Sequence, residues 1–323
     1  MTQSMTHTSS NYLMGVIAVV VASFLWGTTG TAATFAPDVS SLGIAAVSMG
    51  CGGLLQAVIA WRYIVRQWQA LKQHRTLVLW GAVNVAIYPL AFYSSMRLSG
   101  VTIGTVVSIG MAPVAAAIIE RLFDQQKLNT RWIMSIILGV FGVLLLASAK
   151  PQHSGSADMG SMSQWYNFFG ILLGLIAAFT YAMYSWLAHR LIQRNVHSRA
   201  AMGSMFGVGG LLLFPVLLLT GAELLDSTTN LLVGVYMAAV PMFMGYLLFG
   251  YGLRSIRASL ATIITLLEPV VAAILAMWIV GETLSWIGWA GIGLISSCLL
   301  IATLKRKPAP TPLPAAVDAP ASV

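Results

Sequence analysis

Thr265-Leu-Leu-Glu-Pro-Val-Val-Ala-Ala-Ile-Leu-Ala276 sets a carboxylate and a proline inside a run that is otherwise hydrocarbon. What Glu268 can do there depends on whether that run lies in a water-soluble core or in lipid. Composition decides it. Of the 323 residues, 58% are apolar and only 8% charged, against about a quarter charged in a soluble domain. Apolar runs of about 20 residues, enough to cross a bilayer as helices, recur along the whole chain. The chain reads as an integral membrane protein.

Ten such runs are predicted, at 13–35, 42–63, 76–96, 101–119, 132–149, 165–187, 200–220, 231–252, 258–280 and 285–304. They are apolar on every face, whereas a membrane β-barrel strand alternates apolar and polar residues. An all-α bundle follows, with short connections that make consecutive helices antiparallel neighbours. The polar start, Met1 to Asn11, precedes an apolar run too long for a cleavable signal peptide, so the first span is expected to be retained. Cys51 and Cys298 have neither zinc nor redox spacing and read as packing residues. The Pro/Ala-rich tail 308–323 cannot bury a core and is expected to be disordered in the cytoplasm.

Lysine and arginine concentrate in cytoplasmic loops. With the N-terminus inside, the inner loops collect Arg62, Arg66, Lys72, Arg75, Arg121, Lys127, Arg131, Arg190, Arg194, Arg199, Arg254, Arg257, Lys305, Arg306 and Lys307, leaving only Arg97 and Lys150 outside. Fifteen of the 17 basic residues therefore fall on one side, and a miscounted helix would scramble that alternation. The formal charge of +8 is a topology signal and does not point to nucleic acid.

The chain also repeats itself. Ser48-Met-Gly-Cys-Gly-Gly-Leu-Leu55 in the second span returns, with one insertion, as Ser204-Met-Phe-Gly-Val-Gly-Gly-Leu-Leu212 in the seventh. Pro113-Val-Ala-Ala-Ala-Ile118 in the fourth span returns at the same offset as Pro269-Val-Val-Ala-Ala-Ile274 in the ninth, and Gly15 to Trp26 runs beside Gly170 to Tyr181. The expected division is an N-terminal half over 1–150 and a C-terminal half over 151–307, with a Ser/Gly-rich linker at 150–164 that contains His153 and Asp158. Five spans per half is an odd number, so the second half must enter the membrane from the opposite side. Inverted repeats of this kind give secondary transporters a midplane site and two related states.

Glu268 lies at the centre of the ninth span, where an ionised carboxylate costs about 2.5–3.5 kcal/mol on insertion scales. It must face a wet cavity, find a partner or hold a proton. Pro269 has no N–H, so the carbonyl of Thr265 loses its usual helical donor; Pro113 does the same to Ile109 in the fourth span. Ala258, Ala261, Thr262, Thr265, Glu268, Ala272 and Ala276 form one small and polar stripe at helical spacing, expected to face the bundle interior. The residue matching Glu268 in the first half is Ala112, so the site is asymmetric. Glu268 could bind a substrate ammonium, a coupling proton or both. Alternatively it is a permanently protonated carboxyl, bonded to a neighbouring Thr or Tyr and holding the bend.

Trp26, its repeat-mate Tyr181, Tyr184, Tyr88, Tyr93 and Tyr246 could line a pocket that takes an apolar or cationic group by stacking and cation–π attraction, or could simply pack. Trp61, Trp80, Trp132, Trp165, Trp286 and Trp289 lie near span ends and read as interface anchors. Gly27 and Gly30, beside Thr28, Thr29 and Thr31, mediate close helix contact or loosen the first span. Glu120, Arg121, Asp124 and Lys127 are expected to be solvated charges at an inner helix end, and Glu282 a charge at an outer one.

Other functions find little footing. No G-x-x-x-x-G-K-[ST] segment is present to cradle the phosphates of ATP, so ATP-driven transport is not expected. His7, His74, His153, His189 and His197 all read as loop or tail residues, no Asp sits inside a span, and neither H-E-x-x-H nor G-x-S-x-G occurs. An enzyme, a metal centre and a cofactor are therefore not expected.

Glu268-Pro269 with the apolar run after it, Gly281-Glu282-Thr-Leu-Ser, the closing Gly-rich helix, and Trp26-Gly27 in the first span together resemble the EamA half-repeat of the drug/metabolite transporter superfamily. The resemblance covers about residues 13 to 304. It implies ten helices in two inverted five-helix repeats around a central cavity, in the bacterial inner membrane, exporting or exchanging small metabolites, notably amino acids. The first half departs from the pattern, with Asp124-Gln-Gln-Lys127 where Gly-Glu is expected. The resulting expectation is secondary transport of an amino acid or similar amphipathic metabolite, with protons as candidate coupling ions. Efflux of lipophilic cationic drugs is the alternative.

Overall fold

The computed structural model describes residues 2–99, 101–126, 130–148, 160–280 and 283–303. Lys127, Lys150, His153, Asp158, Gly281, Glu282 and the tail 308–323 lie outside the described residues. Among the described residues, ten helices are long and apolar enough to cross a bilayer: Asn11–Ala33, Ser41–Arg66, Arg75–Ser99, Ile103–Phe123, Thr130–Ser148, Trp165–Gln193, Ser198–Thr220, Thr228–Gly252, Ala258–Ile279 and Trp286–Thr303. These are the ten expected spans, and the chain is a multi-pass membrane protein. Two ends differ from expectation. The first helix starts at Thr2, so the polar start is helical, and the sixth starts at Gly160, which shortens the linker.

The outer surface is hydrocarbon: Val58, Leu122, Leu219 and Trp278 are among the most exposed side chains. A soluble protein rarely carries so large an exposed apolar surface, but lipid tails solvate it. Trp61, Trp80, Trp165, Trp286 and Trp289 are exposed near span ends as anchors would be; Trp132 is half-buried.

Because lipid is as apolar as leucine, close packing and hydrogen bonds hold the helices together. The repeated Gly-rich segments supply the closest crossing. A Cβ on Gly53 of the second span would sit 2.3 Å from the carbonyl oxygen of Phe206, and one on Gly210 of the seventh 2.6 Å from that of Gly50. The second span packs on the seventh, the fifth on the tenth and the fourth on the ninth. The third packs on the sixth as the eighth does on the first, the sixth on the fourth as the first on the ninth, and the seventh on the third as the second on the eighth. Exchanging each span for the one five places along leaves this pattern unchanged.

Several spans depart from regular α-helix along their length. π-helical turns occupy Ala46–Cys51, Val106–Gly110, Ala238–Met244 and Ala276–Val280, a feature common at functional sites. The fourth span breaks at Met111 and the ninth at Thr265 and Leu266, each just ahead of its proline. In the ninth the break pairs its own backbone: the Glu268 N–H donates to the Thr265 carbonyl at 3.0 Å. The carbonyl expected to be orphaned by Pro269 is therefore satisfied locally, which corrects the expectation that it needs the cavity.

One end of the bundle gathers the described basic loops. There Arg194 meets His74, Gln67 Nε2 donates to the Asn195 carbonyl, Arg199 reaches Tyr63 and Arg131 donates to the Ile301 carbonyl. The opposite end is tied by Glu223, which accepts from the Ser40 N–H at 2.5 Å, and by Thr28 with Tyr236 at 2.8 Å. Cys298 is buried and Cys51 half-buried, and both are free thiols.

Candidate functional site

Ala258, Ala261, Thr262 and Thr265 of the polar stripe are buried in the interior, while Glu268 and Ala272 are half-buried; the side chain of Ala276 lies outside the described residues. The break puts Glu268 in the first turn of the half-helix Leu267–Leu275, where the helix dipole favours negative charge. The first span crosses directly over it. A Cβ on Gly27 would sit 2.6 Å from Val271 and 2.9 Å from the Glu268 carbonyl oxygen, so Gly27 is the close-contact glycine. Gly30 is exposed with nothing nearby and plays no such part.

The Glu268 side chain borders a cavity of about 30 Å³ that is also lined by Trp26, Tyr88, Tyr93, Tyr181 and Tyr246. Six of the eight expected binding residues thus meet at one place. The other two stand directly behind. Tyr184 shares a 2.7 Å hydrogen bond with Tyr246, and Thr265 accepts from the Tyr181 hydroxyl at 3.0 Å. Thr29, Ser48, Met49, Pro89, Phe92 and Met242 complete the lining and were not expected there from sequence. The signal was there for two of them, since Ser48 and Met49 open the duplicated Gly-rich segment, which reads as a repeat marker. Pro113 is buried at its own helix break and does not line the cavity.

The aromatic residues form a connected wall. Trp26 lies 4.7 Å from Tyr246 and 5.4 Å from Phe249, ring centre to ring centre, and its indole N–H donates to the Pro241 carbonyl at 2.9 Å. Tyr88 meets Tyr181 at 5.5 Å and Tyr184 at 5.8 Å. Each hydroxyl or N–H named is held by another protein group, so the rings are fixed with their faces available. The Glu268 carboxyl is different: among the described residues nothing donates a hydrogen bond to it and no cation pairs with it. Tyr181 is paired with Thr265 and Tyr184 with Tyr246, and none of these four hydroxyls is bonded to the Glu268 carboxyl.

The cavity extends from Glu268 toward the end away from the basic loops, as Thr29, Ser48 and Tyr93 show by their places in their spans. On the basic side it is sealed by Tyr184, Tyr246, Phe206 and Phe249, with the Phe206 ring centre 4.4 Å from that of Tyr246 and tilted to it. Beyond this seal opens a polar vestibule of about 640 Å³, bordered by Glu120, Asp124, His189, Arg190, Arg254 and Arg257. Its walls are latched. Glu120, only 5% exposed, accepts from the Ser259 N–H at 2.9 Å and from its hydroxyl at 2.6 Å. It thereby caps the ninth span from the fourth. Asp124 pairs with Arg190 and accepts from the Trp186 indole at 2.7 Å, and His189 Nδ1 contacts the Leu253 carbonyl at 2.8 Å.

These findings correct two expectations. Glu120 and Asp124 are bonded acids, because the fourth span ends against the N-terminus of the ninth and against the Trp186 and Arg190 side chains of the sixth. His189 lies in the sixth helix, which runs on to Gln193; His7 falls in the first helix.

A sequence model described as the EamA-like transporter family matches residues 13–148 and again residues 168–304. The chain belongs to the EamA-like transporter family. Among similar proteins, an uncharacterized transporter of Bacillus subtilis, YwfM, is 29% identical over 284 residues, covering 88% of this chain and 91% of that protein. An uncharacterized inner membrane transporter of Salmonella typhimurium, YicL, is 22% identical over 299 residues, covering 91% and 96%. A solved crystal structure superimposes with a TM-score of 0.72 at 17% identity, covering 91% of this chain and 96% of that one. That likeness concerns the EamA fold alone.

Proposed function

We propose that this EamA-family transporter exports or exchanges a small amphipathic metabolite, an amino acid or a close analogue, by alternating access at Glu268. The observation that carries the reading is the carboxyl itself: half-buried in mid-span, unpartnered, and facing fixed aromatic rings. A substrate ammonium would take the carboxylate as its counter-ion while its apolar part lies against Trp26, Tyr88, Tyr181 and Tyr246. A proton would replace it on the return step, since an unpaired charge at this depth is costly.

The two halves, 1–150 and 151–307, are read as oppositely oriented copies. The double family match and the exchange-invariant pairing of spans support this. The basic end is assigned to the cytoplasm with both termini there, in a bacterial inner membrane as the Salmonella relative is described. No nucleic acid partner is implied. The cavity of about 30 Å³ is far below the roughly 300 Å³ of a small-ligand pocket, so loading requires the spans to separate. The sealed basic side makes this a form closed toward the cytoplasm. Entering substrate would meet Arg190, Arg254 and Arg257 first, which favours a zwitterion over the alternative cargo, a lipophilic cation.

The test is retention of a metabolite and drug panel in cells lacking or overproducing the protein, then flux of the responding compound in proteoliposomes. Export of an amino acid that stops in Glu268→Gln is the expected result. A protein that moves only lipophilic cations, or one whose flux ignores that substitution, would overturn the reading.

A further inference from the structure

On the outer surface of the bundle, away from the Glu268 axis, a groove of about 480 Å³ opens where the second and third spans diverge over the seventh. Its floor is Gly203, Gly207 and Leu211, its walls include Leu54, Ile64 and Val78, and the short helix Trp68–Gln73 closes its basic end. Lys72 and Arg75 stand at that end. Both are exposed, and neither has an acidic partner among the described residues. The groove runs from Ile64 to Leu54 along the second span, about 15 Å at 1.5 Å per residue. That is half of a hydrocarbon core of about 30 Å, the depth of one leaflet. A crossing helix of a second copy would need a groove of the full thickness.

Apolar walls one leaflet deep, capped by two unpaired cations, match one kind of occupant. We infer that this groove binds a phospholipid with an anionic headgroup, drawn from the leaflet on the basic side. Its phosphate sits between Lys72 and Arg75 and one acyl chain lies along Gly207 and Leu211. Trp61 and Trp68, 64% and 61% exposed, stand at the rim, where indole rings favour the headgroup level. A basic residue near an anionic membrane surface contributes a preference of about fivefold, or about 25-fold for the pair.

Native mass spectrometry of the full-length protein, equilibrated with equal phosphatidylglycerol and phosphatidylethanolamine, tests this directly. The wild type is expected to retain phosphatidylglycerol with a preference of about 25-fold. Lys72→Ala/Arg75→Ala should abolish the preference without changing thermal stability, since both residues are exposed. Arg62→Ala/Arg66→Ala, basic residues outside the groove at the same end, should keep it. Ser204→Leu, which fills the floor, should reduce retention of both lipids. Equal retention of the two lipids by the wild type would overturn the inference, as would a preference that survives loss of Lys72 and Arg75. So would disulfide cross-linking of two copies through Leu211→Cys, because the groove would then be covered by a neighbour.

Discussion

Glu120 and Glu268 are carboxyl groups in the fourth and ninth spans, which pack against each other, and the molecule treats them oppositely. Glu120 accepts two hydrogen bonds from Ser259 and caps a helix; Glu268 accepts none from any described residue. An acid whose lone pairs are filled is part of the frame, whereas one left open in mid-membrane is a place where a proton or cation can come and go. A hydrogen-bonded path along the ninth span runs from the cavity wall to Ser259. The Tyr181 hydroxyl donates to Thr265, Thr265 to the Thr262 carbonyl, and Thr262 to the Ser259 carbonyl, which brings the chain to the residue Glu120 holds.

The largest effect should come from Glu268→Gln. Transport in proteoliposomes should fall about a hundredfold or more, close to 2.7 kcal/mol, while the melting temperature stays near wild type because no internal bond is lost. A large fall in stability with flux retained would break the contrast.

Glu120→Ala should do the reverse. It strands two donors, at a cost of about 1–3 kcal/mol, and hydrogen exchange should rise over residues 258–264. Glu120→Gln, which can still accept from the Ser259 N–H, should recover most of the loss.

Asp124→Asn sharpens the role of the latch. The Asp124–Arg190 pair is partly exposed, with side-chain exposures of 27% and 33%, and such pairs contribute less than about 1 kcal/mol. The expected result is a shift of up to about fivefold in apparent substrate affinity from the basic side, with little change in melting temperature.

The smallest effect concerns pH. Burial first, and then the nearby Arg254 and Arg199, hold the His197 imidazole below its ordinary pKa of 6.5. The folded protein therefore binds fewer protons than the unfolded chain, so this contribution is present above pH 6.5 and is lost as pH falls through the folded value. His197→Asn, which keeps a side-chain acceptor at the helix start, should flatten the fall in melting temperature between about pH 7.5 and about pH 5.5.

Much of this was legible in order of residues alone. A helix in lipid must satisfy its own backbone and be apolar for about 20 residues, so the ten spans stand out without reference to one another. Glu268 stood out for the same reason, as a charge where charge is costly, and the tyrosines and Trp26 as aromatic rings with polar tips inside the spans. The π-turns, the local pairing of the Thr265 carbonyl and the place of Met242 in the lining were not legible, because a methionine in a span looks the same facing lipid or cavity.

The sequence by itself determined that the chain crosses a membrane ten times, that it is built from a doubled unit, and that an acid lies in mid-span, because each follows from local composition and spacing. Only the tertiary structure decided that the acid at the end of the fourth span is bonded and the one in the ninth is not. A hydrogen-bond partner 139 residues away leaves no mark on local pattern, and which side of the cavity is shut depends on aromatic rings brought together from three different spans.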